Sequence, residues 1–420
     1  MSLRLFDISR SLQILARMLF AAILLTGCGG GGSGSMSGPA KSSFTAGPIT
    51  GFGSVIINGI RFDVSNAKVA NDDDEAQSQS DLQLGMVAEI EAGAIITDSM
   101  GPHGDAKDIH FRSAIIGPVS AVDITAKSLV VLGQTVDVTA TTVFDERLPA
   151  GLGSIAVGDV VEVFGMLDRT MGHYTAKRIE PKPNAPFFKL RGVVSSLDTT
   201  AQTFMIGSET ISYAGLAPEQ VPADLANGLL VSVKLQTTQD VNGAWVAIKL
   251  KDAARRMADG DEAELKGLVT SVTSSTQFSV DGIAVDASSA KIFPEGAVIV
   301  VGAEVEVEGT ASNGVVMATK VSLETEQEDE LAGFELHGTI STIDTVNKNF
   351  VLRGVTVDYS GSVAFRNGMI SNLAVGALVE VNGTLSTDGT KLVAMTISFE
   401  QGTLSTNGTM LMAMTISFEQ

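Results

Sequence analysis

The sequence predicts an all-β protein that is built as a tandem array of five small barrels, each with five to six strands. A pattern typified by residues 157–165, VGDVVEVFG, returns along the chain at a nearly constant interval. Its first glycine lies at positions 85, 158, 228, 302 and 376, which gives steps of 73, 70, 74 and 74 residues. A fixed period of this kind indicates a repeat architecture.

The residues after each of these glycines alternate between apolar and polar. Alternation with a period of two indicates a strand with one face toward a core. The apolar pairs, at the third and fifth positions, are Ala88/Ile90, Val161/Val163, Val231/Val233, Val305/Val307 and Val379/Val381. The residue between them is Glu89, Glu162, Ser232, Glu306 or Glu380. We expect this residue to face solvent; the alternative is an acidic stripe offered to a basic partner.

Two hairpins are predicted in each repeat. The first turns at pairs such as Asn58-Gly59 and Asp281-Gly282, which suit type I′ turns because both central residues need positive φ. The second is predicted to turn at Gly104, Gly172, Gly243, Gly314 and Gly389, before a closing strand of the form Ala-x-x-Ile, with Leu or Val in place of Ile in repeats 3 and 4. Five strands in about seventy residues would expose sheet edges unless they close, so an OB-like barrel fits best.

Aspartates recur where the third strand ends, at Asp63, Asp137, Asp286 and Asp358. Aspartate caps turns by accepting hydrogen bonds from nearby backbone N–H groups, and we interpret these residues in that way. Each barrel has a thin core at this size, so we expect neighbouring repeats to stabilise each other by stacking end to end.

The repeat period and the composition give the domain boundaries. We assign a signal peptide to residues 1–27, a Gly/Ser-rich tether to 28–48, barrels to 49–114, 115–183, 187–257, 262–328 and 333–401, and a duplicated hairpin to 402–420.

The first 28 residues have the pattern of a secretory signal. Three arginines precede an apolar run at residues 18–25, which is too short to span a membrane as a helix. The following Leu25-Thr26-Gly27-Cys28 resembles the lipobox of bacterial lipoproteins. The resemblance implies that Cys28 carries acyl chains such as palmitate, and Gly29 after it implies the outer membrane. The alternative is an ordinary cleaved signal with an incidental thiol.

The last nineteen residues repeat the nineteen before them. Residues 402–420 match 383–401 except at Asp388, Lys391 and Val393, which are replaced by Asn407, Met410 and Met412. One barrel needs one closing hairpin, so the second copy is surplus, exchanged with the first, or an added edge. We expect it to be dispensable for stability.

Composition limits the classes of function. The formal net charge of −20 and the single tryptophan argue against nucleic acid as a partner. Cys28 is the only cysteine, which excludes an intrachain disulfide and a cysteine-based zinc site. The chain has no G-x-S-x-G, H-E-x-x-H or P-loop motif, so we expect neither an enzyme nor a cofactor. A catalytic pair of carboxylates, as in glycosidases, remains an alternative.

Two groups of side chains are candidates for metal binding, both in repeat 1. The run Asn71–Glu75 contains Asp72, Asp73 and Asp74, whose carboxylates suit calcium, although we interpret the run as a solvated loop. The second group comprises His103, Asp105, Asp108 and His110 on the second hairpin. For His173 and His337, the spacing along the sequence predicts no acidic partner.

The order of these elements resembles a known family. Over roughly residues 49–401 it is similar to the tandem β-repeat called domain of unknown function 5666. The similarity lies in the arrangement G-x-V, hairpin, V-D, L-x-x-G-x-x-V-E-V-x-G, D-G and A-x-x-I. Repeat 3 departs most, with Ser212 and Ser232 in place of the acids, and repeat 1 has an insert near 71–80. The resemblance implies a fold and an envelope location but no activity.

The sequence therefore predicts a lipid-anchored protein of the bacterial cell envelope, on the periplasmic or surface side, that acts as a non-catalytic scaffold. Envelope proteins or polysaccharide are the expected partners, in addition to the membrane that holds the anchor. The alternative is a lipoprotein that binds a small ligand or a divalent cation at barrel mouths or at the acidic loop of repeat 1.

Overall fold

A computed structural model describes residues 42–99, 101–168, 172–253, 257–325 and 333–400. These residues form 31 strands and four short 3-10 helices, so the all-β prediction is confirmed. Within the described ranges, no helix has the length and apolar character that a membrane span requires. The signal peptide, Cys28 and the duplicated residues 402–420 lie outside the described residues.

The strands follow the repeat order. Repeat 1 contains β1 (Ser43–Phe52), β2 (Val55–Ile57), β3 (Ile60–Asp63), β4 (Lys68–Asn71), β5 (Ala76–Gln77), β6 (Val87–Ala92), β7 (Ile96–Asp98) and β8 (Gly101–Arg112). Repeat 2 contains β9 (Ile115–Asp123), β10 (Ser128–Val131), β11 (Gln134–Phe144), β12 (Val160–Asp168) and β13 (His173–Pro181). Repeat 3 contains β14 (Phe188–Val193), β15 (Ser195–Asp198), β16 (Thr203–Ile206), β17 (Glu209–Ser212), β18 (Leu230–Gln239) and β19 (Trp245–Asp252).

The last two repeats have the same plan. Repeat 4 contains β20 (Glu262–Ser274), β21 (Gln277–Val280), β22 (Ile283–Asp286), β23 (Lys291–Phe293), β24 (Glu304–Ser312) and β25 (Val315–Leu323). Repeat 5 contains β26 (Phe334–Asp344), β27 (Asn349–Leu352), β28 (Val355–Asp358), β29 (Ala364–Arg366), β30 (Leu378–Leu385) and β31 (Lys391–Phe399). The 3-10 helices are Gln79–Asp81, Gly151–Ser154, Pro218–Gln220 and Ile370–Asn372.

Repeats 2 and 4 form closed five-stranded barrels. In repeat 2, β9 pairs with β10, β10 with β11, β11 with β13, β13 with β12, and β12 returns to β9. In repeat 4 the same order runs β20-β21-β22-β25-β24 and back to β20. Every pairing is antiparallel except the one between the third and fifth strands, which is parallel.

The same order of pairings recurs elsewhere, with local differences. Repeat 1 has it in β1-β2-β3-β8-β6, and repeat 5 in β26-β27-β28-β31-β30. In repeat 3 the first strand is interrupted at Val194, so β14 pairs with β18 while β15 pairs with β16. A sixth strand, β4, β23 or β29, adds in parallel to the closing strand of its repeat.

The recurrent glycine joins the first and fourth strands of each repeat. Gly85, Gly158, Gly228, Gly302 and Gly376 have φ between 79° and 96°, which glycine adopts without the steric cost of a side chain. Each donates its N–H to a carbonyl oxygen of the first-strand segment at 2.8–2.9 Å, and the residue bearing that carbonyl donates its own N–H, at the same distances, to the carbonyl oxygen of the residue that follows the glycine. The pairs are Gly85–Ile49, Gly158–Val119, Gly228–Val194, Gly302–Val269 and Gly376–Ile340.

The predicted turns are largely confirmed. Asn58 and Gly59 have φ of 53° and 78°, and Asp281 and Gly282 have 50° and 90°, as type I′ turns require. The turn predicted at Gly104 is wrong. Gly104 lies inside β8, which begins at Gly101 and pairs with β7.

The repeats are joined sideways, so the prediction of end-to-end stacking is wrong. Strand β1 begins at Ser43, within the predicted tether, and its first residues pair in parallel with β20 of repeat 4. Its last residues pair in parallel with β26 of repeat 5, and β14 pairs with β9 between repeats 3 and 2. The apolar cores follow these contacts: repeats 1 and 5 share one cluster, and repeats 2 and 3 share another.

Sideways packing also overturns the prediction for the alternating acids. Glu89 and Glu162 were expected to face solvent, but their residues are only 3% and 8% exposed. Other repeats lie close to both residues: Arg112, the partner of Glu89, also pairs with Asp281 of repeat 4, and Glu162 lines a crevice together with Lys189 of repeat 3. Buried carboxylates need compensating partners, and Arg112 and Lys182 supply them.

We predict that Gly165→Ala destabilises the protein. Gly165 lies at the β-bulge between β12 and β13, and an added Cβ would be 2.6 Å from the Thr175 carbonyl oxygen. We expect the free energy of unfolding to fall by roughly 1–3 kcal/mol because backbone must shift, measured by urea denaturation. Gly215→Ala is the control, since a Cβ there meets nothing within 4 Å. Equal effects of the two substitutions would contradict the prediction.

Candidate functional site

A crevice lies where repeats 1, 2, 3 and 5 meet. Its volume is about 810 Å³, and its lining includes Asp72, Phe111, Arg147, Lys189 and Arg353. Concave sites of this size at the junction of packed units are common places for ligand binding. The crevice is therefore the candidate site, and the acidic run of repeat 1 forms part of its wall.

The acidic run is a tight loop between β4 and β5. The Asn71 side-chain oxygen accepts hydrogen bonds from the backbone N–H groups of Asp73 at 2.9 Å and Glu75 at 3.1 Å. Asp74 has a φ of 63° and remains exposed. An asparagine that bonds to its own following backbone imitates a turn. The loop is thus held rigid, with Asp72 and Asp73 directed toward repeat 3.

Asp73 is surrounded by lysines. The Nζ atoms of Lys234 and Lys249 each lie 2.6 Å from its carboxylate, and that of Lys251 lies at 3.6 Å. Burial disfavours the charged carboxylate, but hydrogen bonds from Lys234 and Lys249 outweigh it, and the pKa of Asp73 is lowered well below its usual range. Lys234 also lies 4.0 Å from the ring centroid of Phe187, a cation–π contact.

Asp72 forms the neighbouring ion pair. Its carboxylate accepts a hydrogen bond from Lys189 Nζ at 2.6 Å, and the Lys189 side chain is only 3% exposed. Burial lowers the pKa of Lys189, and the charge of Asp72 opposes that effect. The prediction of a solvated loop is therefore wrong for Asp72 and Asp73. The cations that they contact are lysines of repeat 3.

The side chains of the second metal candidate, His103, Asp105, Asp108 and His110, do not come together at one point. His103 Nδ1 lies 3.0 Å from the Gly101 carbonyl oxygen and 3.8 Å from Asp98, whereas His110 Nδ1 lies 3.8 Å from Asp74. Because β8 continues through Asp105 and Asp108, the two histidines stand roughly 23 Å apart along one strand. Among the described residues, no group of three His, Cys, Asp or Glu side chains is arranged to hold a metal ion.

The remaining histidines have acidic partners that spacing did not reveal. His173 Nδ1 lies 3.0 Å from Asp137, and His337 Nε2 lies 3.1 Å from Glu400. The parallel pairing of β11 with β13 brings the first pair together across 36 residues. The register of that parallel pair is the signal that could have predicted the contact.

Three of the four recurrent aspartates cap turns, as predicted. Asp63, Asp286 and Asp358 each accept the N–H of the residue two positions later, at 2.8, 2.9 and 2.8 Å. The backbone hydrogen bond from Ser65 lowers the pKa of Asp63. Asp137 differs, because its carboxylate pairs with His173.

A second buried ion-pair group joins repeats 1, 3 and 4. Arg112 pairs with both Glu89 and Asp281, and Arg191 Nη1 lies 2.8 Å from Asp281. Burial lowers the pKa of Arg191 to about 9, and the nearby charge of Arg112 adds to the effect. Asp281 lies in the first turn of repeat 4, where the sequence showed only a turn residue.

The charged groups at the floor and rim of the crevice are also engaged. Arg178 binds Asp145 at 3.2 Å and Glu180 at 2.5 Å, and it donates to the Leu84 carbonyl oxygen at 3.2 Å. Lys182 lies 2.6 Å from Glu162. The crevice thus presents paired charges and backbone dipoles, which suit a polar ligand that carries both donors and acceptors.

Carboxylates also crowd the outer face of repeat 4. Glu264 on β20 lies opposite Glu308 on β24, and Glu306 lies two residues away on β24. Burial raises the pKa of Glu264 well above its usual range, and the charges of Glu306 and Glu308 raise it further against the opposing charge of Lys320. Burial also raises the pKa of Glu306.

The fold and site define an all-β repeat protein with a polar crevice between its repeats. Three segments, residues 116–180, 266–322 and 337–398, match the family described as domain of unknown function (DUF5666), and together they make up less than half of the chain. The chain therefore contains three copies of this repeat. Repeats 1 and 3, which depart most from the pattern, are the two without a match.

Comparisons with other proteins add little. No curated protein sequence matches the chain at a significant level. A solved structure, "drosophila Unr CSD456", aligns with 52% of this chain and 98% of its own length at 10% sequence identity. Its TM-score is 0.13, at which the alignment supports no argument about the chain.

We predict that Asp73→Ala destabilises the protein more than Asp74→Asn does. Removing the Asp73 carboxylate leaves Lys234 without its closest partner, which should lower the free energy of unfolding by roughly 1–3 kcal/mol. Asp74→Asn is the control, because the Asp74 side chain is 86% exposed and asparagine tolerates its φ of 63°, so stability should change by less than about 0.5 kcal/mol. Similar urea midpoints for both variants would contradict the structural role of Asp73.

We predict that Glu264→Gln stabilises the protein in a pH-dependent way. Because the pKa of Glu264 is raised in the folded protein, ionisation of its carboxyl lowers the free energy of unfolding. This loss of stability is complete when the pH is above the folded-state pKa, and it vanishes when the pH is below the unfolded-state pKa of about 4.3. We expect a gain on the order of 1 kcal/mol at pH 8 that disappears near pH 4, measured as the difference in urea midpoint. Glu295→Gln, at an exposed site, should show no such difference. A gain that persists at pH 4 would be inconsistent with this origin.

Proposed function

We propose that the protein is a lipid-anchored component of the bacterial cell envelope that acts as a non-catalytic scaffold. In this proposal, all five repeats are OB-like barrels, Cys28 carries the lipid, and residues 29–41 separate the anchor from the barrels. The proposal rests on the lipobox-like segment and on the way in which the repeats are joined.

The observation that carries the scaffold role is the pairing of charged side chains across repeats. The carboxylates of Asp72 and Asp73 in repeat 1 bind lysines of repeat 3, and Glu304 of repeat 4 binds Lys177 of repeat 2 at 3.0 Å. Arg61 of repeat 1 binds Glu335 of repeat 5 through two hydrogen bonds. These groups hold one repeat against another, so their chemistry serves assembly.

Shared cores change how the scaffold should be tested. Repeats 1 and 5 bury side chains in one apolar cluster, so deleting a whole repeat would expose the core of another. Loss of binding after such a deletion would then be uninformative. Substitutions at exposed residues test the surface of the intact protein.

The test is cross-linking in the cell. A photo-cross-linking amino acid is placed at Ile124, Val298 or Val346, which are 58%, 71% and 87% exposed. We expect at least one position to capture the same abundant envelope protein reproducibly, and the capture to be lost with Cys28→Ala at equal protein abundance. Capture of nothing above background at every position would exclude the scaffold proposal.

A second candidate function is binding of a small polar ligand in the crevice. Its volume lies within the range of about 300–1,000 Å³ that is usual for ligand sites. Arg147 and Lys182 line it with partly exposed side chains. Under this alternative, a panel of sugars and divalent cations raises the melting temperature of the protein lacking residues 1–41, and Arg147→Ala with Lys182→Ala abolishes the shift.

A further inference from the structure

Two cations of repeat 5 face the crevice without a carboxylate partner. We propose that these residues, Arg353 and Lys391, bind the anionic group of an acidic sugar, which is a sugar that carries a carboxylate or a phosphate. The ligand would occupy the crevice of the second candidate function, on which this inference rests. Its anionic group would lie at the end of the crevice that repeat 5 forms.

Ion pairing inside the crevice separates these two cations from the others. Six cationic side chains line the crevice. Four of them form ion pairs with carboxylates of the same lining: Arg147, Arg178, Lys182 and Lys189. The other two are Arg353 and Lys391, and among the described residues no carboxylate lies within ion-pair distance of either. A ligand can therefore supply the negative charge that the fold supplies elsewhere.

The guanidinium of Arg353 is held in place by two contacts that carry no negative charge. Its Nε donates a hydrogen bond to the His337 carbonyl oxygen at 2.7 Å. Its Cζ lies 5.5 Å from the ring centroid of Phe52 in repeat 1, a cation–π contact. Burial lowers the pKa of Arg353, and no described carboxylate offsets that effect. The N–H donors on the two terminal nitrogens are left for a ligand, in a fixed orientation that suits a carboxylate or a phosphate.

The equivalent turn of repeat 4 has its charge fully paired. Arg353 and Asp281 are each the first residue of a two-residue turn, with φ of 51° and 50°. Both side chains lie over a first-strand glycine: a Cβ on Gly338 would be 3.3 Å from Arg353 Nε, and one on Gly267 would be 3.7 Å from Asp281 Cβ. Asp281 binds arginines of repeats 1 and 3 from this position. Arg353 has the opposite charge at the same place in the fold and lacks the corresponding partner.

Lys391 adds a second positive charge at the same end of the crevice. It begins β31 and pairs with Thr356 of β28, three residues beyond Arg353. Strand spacing places the Cα atoms of the two cations roughly 10 Å apart, so their long side chains can reach one anion. Against the opposing effect of burial, hydrogen bonds from Ser360 lower the pKa of Asp358, and the charge of Lys391 adds a smaller effect. Lys391 is thus near Asp358 without binding it.

The rest of the lining favours a ligand with hydroxyl groups. Eight aspartates and glutamates line the crevice, so a ligand with many negative charges would be repelled. Carboxylates accept hydrogen bonds from hydroxyl groups, and the partly exposed Arg147 and Lys182 can donate to ligand oxygens. Glu146 is exposed and lies beside the turn, because its Oε2 would be 3.9 Å from a Cβ on Gly354. A polyhydroxy body with one anionic group matches this arrangement, as in a uronic acid or a sugar phosphate.

Isothermal titration calorimetry of the full chain in detergent tests the proposal with matched probes. These are glucose, glucuronate, glucose 6-phosphate, acetate and inorganic phosphate. We expect glucuronate or glucose 6-phosphate to bind at least about tenfold more tightly than glucose, because hydrogen bonds to an ionised group are the stronger ones. The tighter of the two identifies the anionic group as a carboxylate or a phosphate. Binding of acetate or inorganic phosphate as tightly as the acidic sugars would overturn the assignment of a sugar.

Variants locate the anion within the crevice. Arg353→Gln and Lys391→Gln should each weaken binding of the acidic sugar by about fivefold or more, and Arg353→Lys should retain part of the affinity because it keeps the charge but loses the planar fork. Arg366→Gln is the control, since Arg366 is an exposed arginine of repeat 5 outside the crevice lining and should leave the affinity unchanged. Melting temperatures without ligand show that each variant is folded.

The outcomes separate this inference from the function on which it rests. Equal affinities for glucose and the acidic sugars, both lost with Arg147→Ala and Lys182→Ala, would overturn the anion site and keep the crevice as a ligand site. Unchanged affinity for the acidic sugar in both Arg353→Gln and Lys391→Gln would also overturn it. If no sugar binds but a divalent cation raises the melting temperature, the inference fails and the second candidate function stands. If neither binds, both fail.

Discussion

Closure of the barrels of repeats 2 and 4 depends on one backbone constraint, a glycine with positive φ just before the fourth strand, and the same glycine recurs in the other three repeats. In repeat 4, Gly302 donates its N–H to the Val269 carbonyl oxygen, and Val269 donates its N–H to the carbonyl oxygen of Ala303, the next residue after the glycine. An L-residue with a side chain adopts this conformation only at a cost. The reciprocal bonds bring the first and fourth strands together, so that the last pairing of the barrel forms.

The outer faces of the repeats decide how they assemble. Positions that alternate with core valines, such as Glu89 and Glu162, carry charges that a solitary barrel would leave in water. In the assembled protein they are buried against cations of the same or another repeat, as in the pair of Glu89 with Arg112. Buried ion pairs contribute little net stability because desolvation offsets attraction, but they penalise any arrangement that leaves one charge unpaired. The network thus favours one specific arrangement of repeats.

This arrangement makes the crevice a product of assembly. Its wall contains the Asn71–Glu75 loop of repeat 1, Lys189 of repeat 3 and Arg353 of repeat 5, which are far apart in the sequence. An acidic run that suggested a calcium loop from composition therefore serves as an anchor for lysines. The same dense packing gives the closing hairpin of repeat 5 its double role, since its turn contacts repeat 2 while its strand fills the core shared with repeat 1.

The sequence by itself determined the all-β class, the repeat period, the strand order along the chain and the turn chemistry at Asn58-Gly59. These features are local, because period-two alternation and positive-φ residues act within a few positions of the chain. Tertiary structure alone decided the partners of Asp73, His173 and Asp281, the burial of Glu89 and the pairing of β1 with repeats 4 and 5. Those outcomes depend on which barrel faces meet, and a side chain on an outer face has the same local pattern whether water or another barrel covers it.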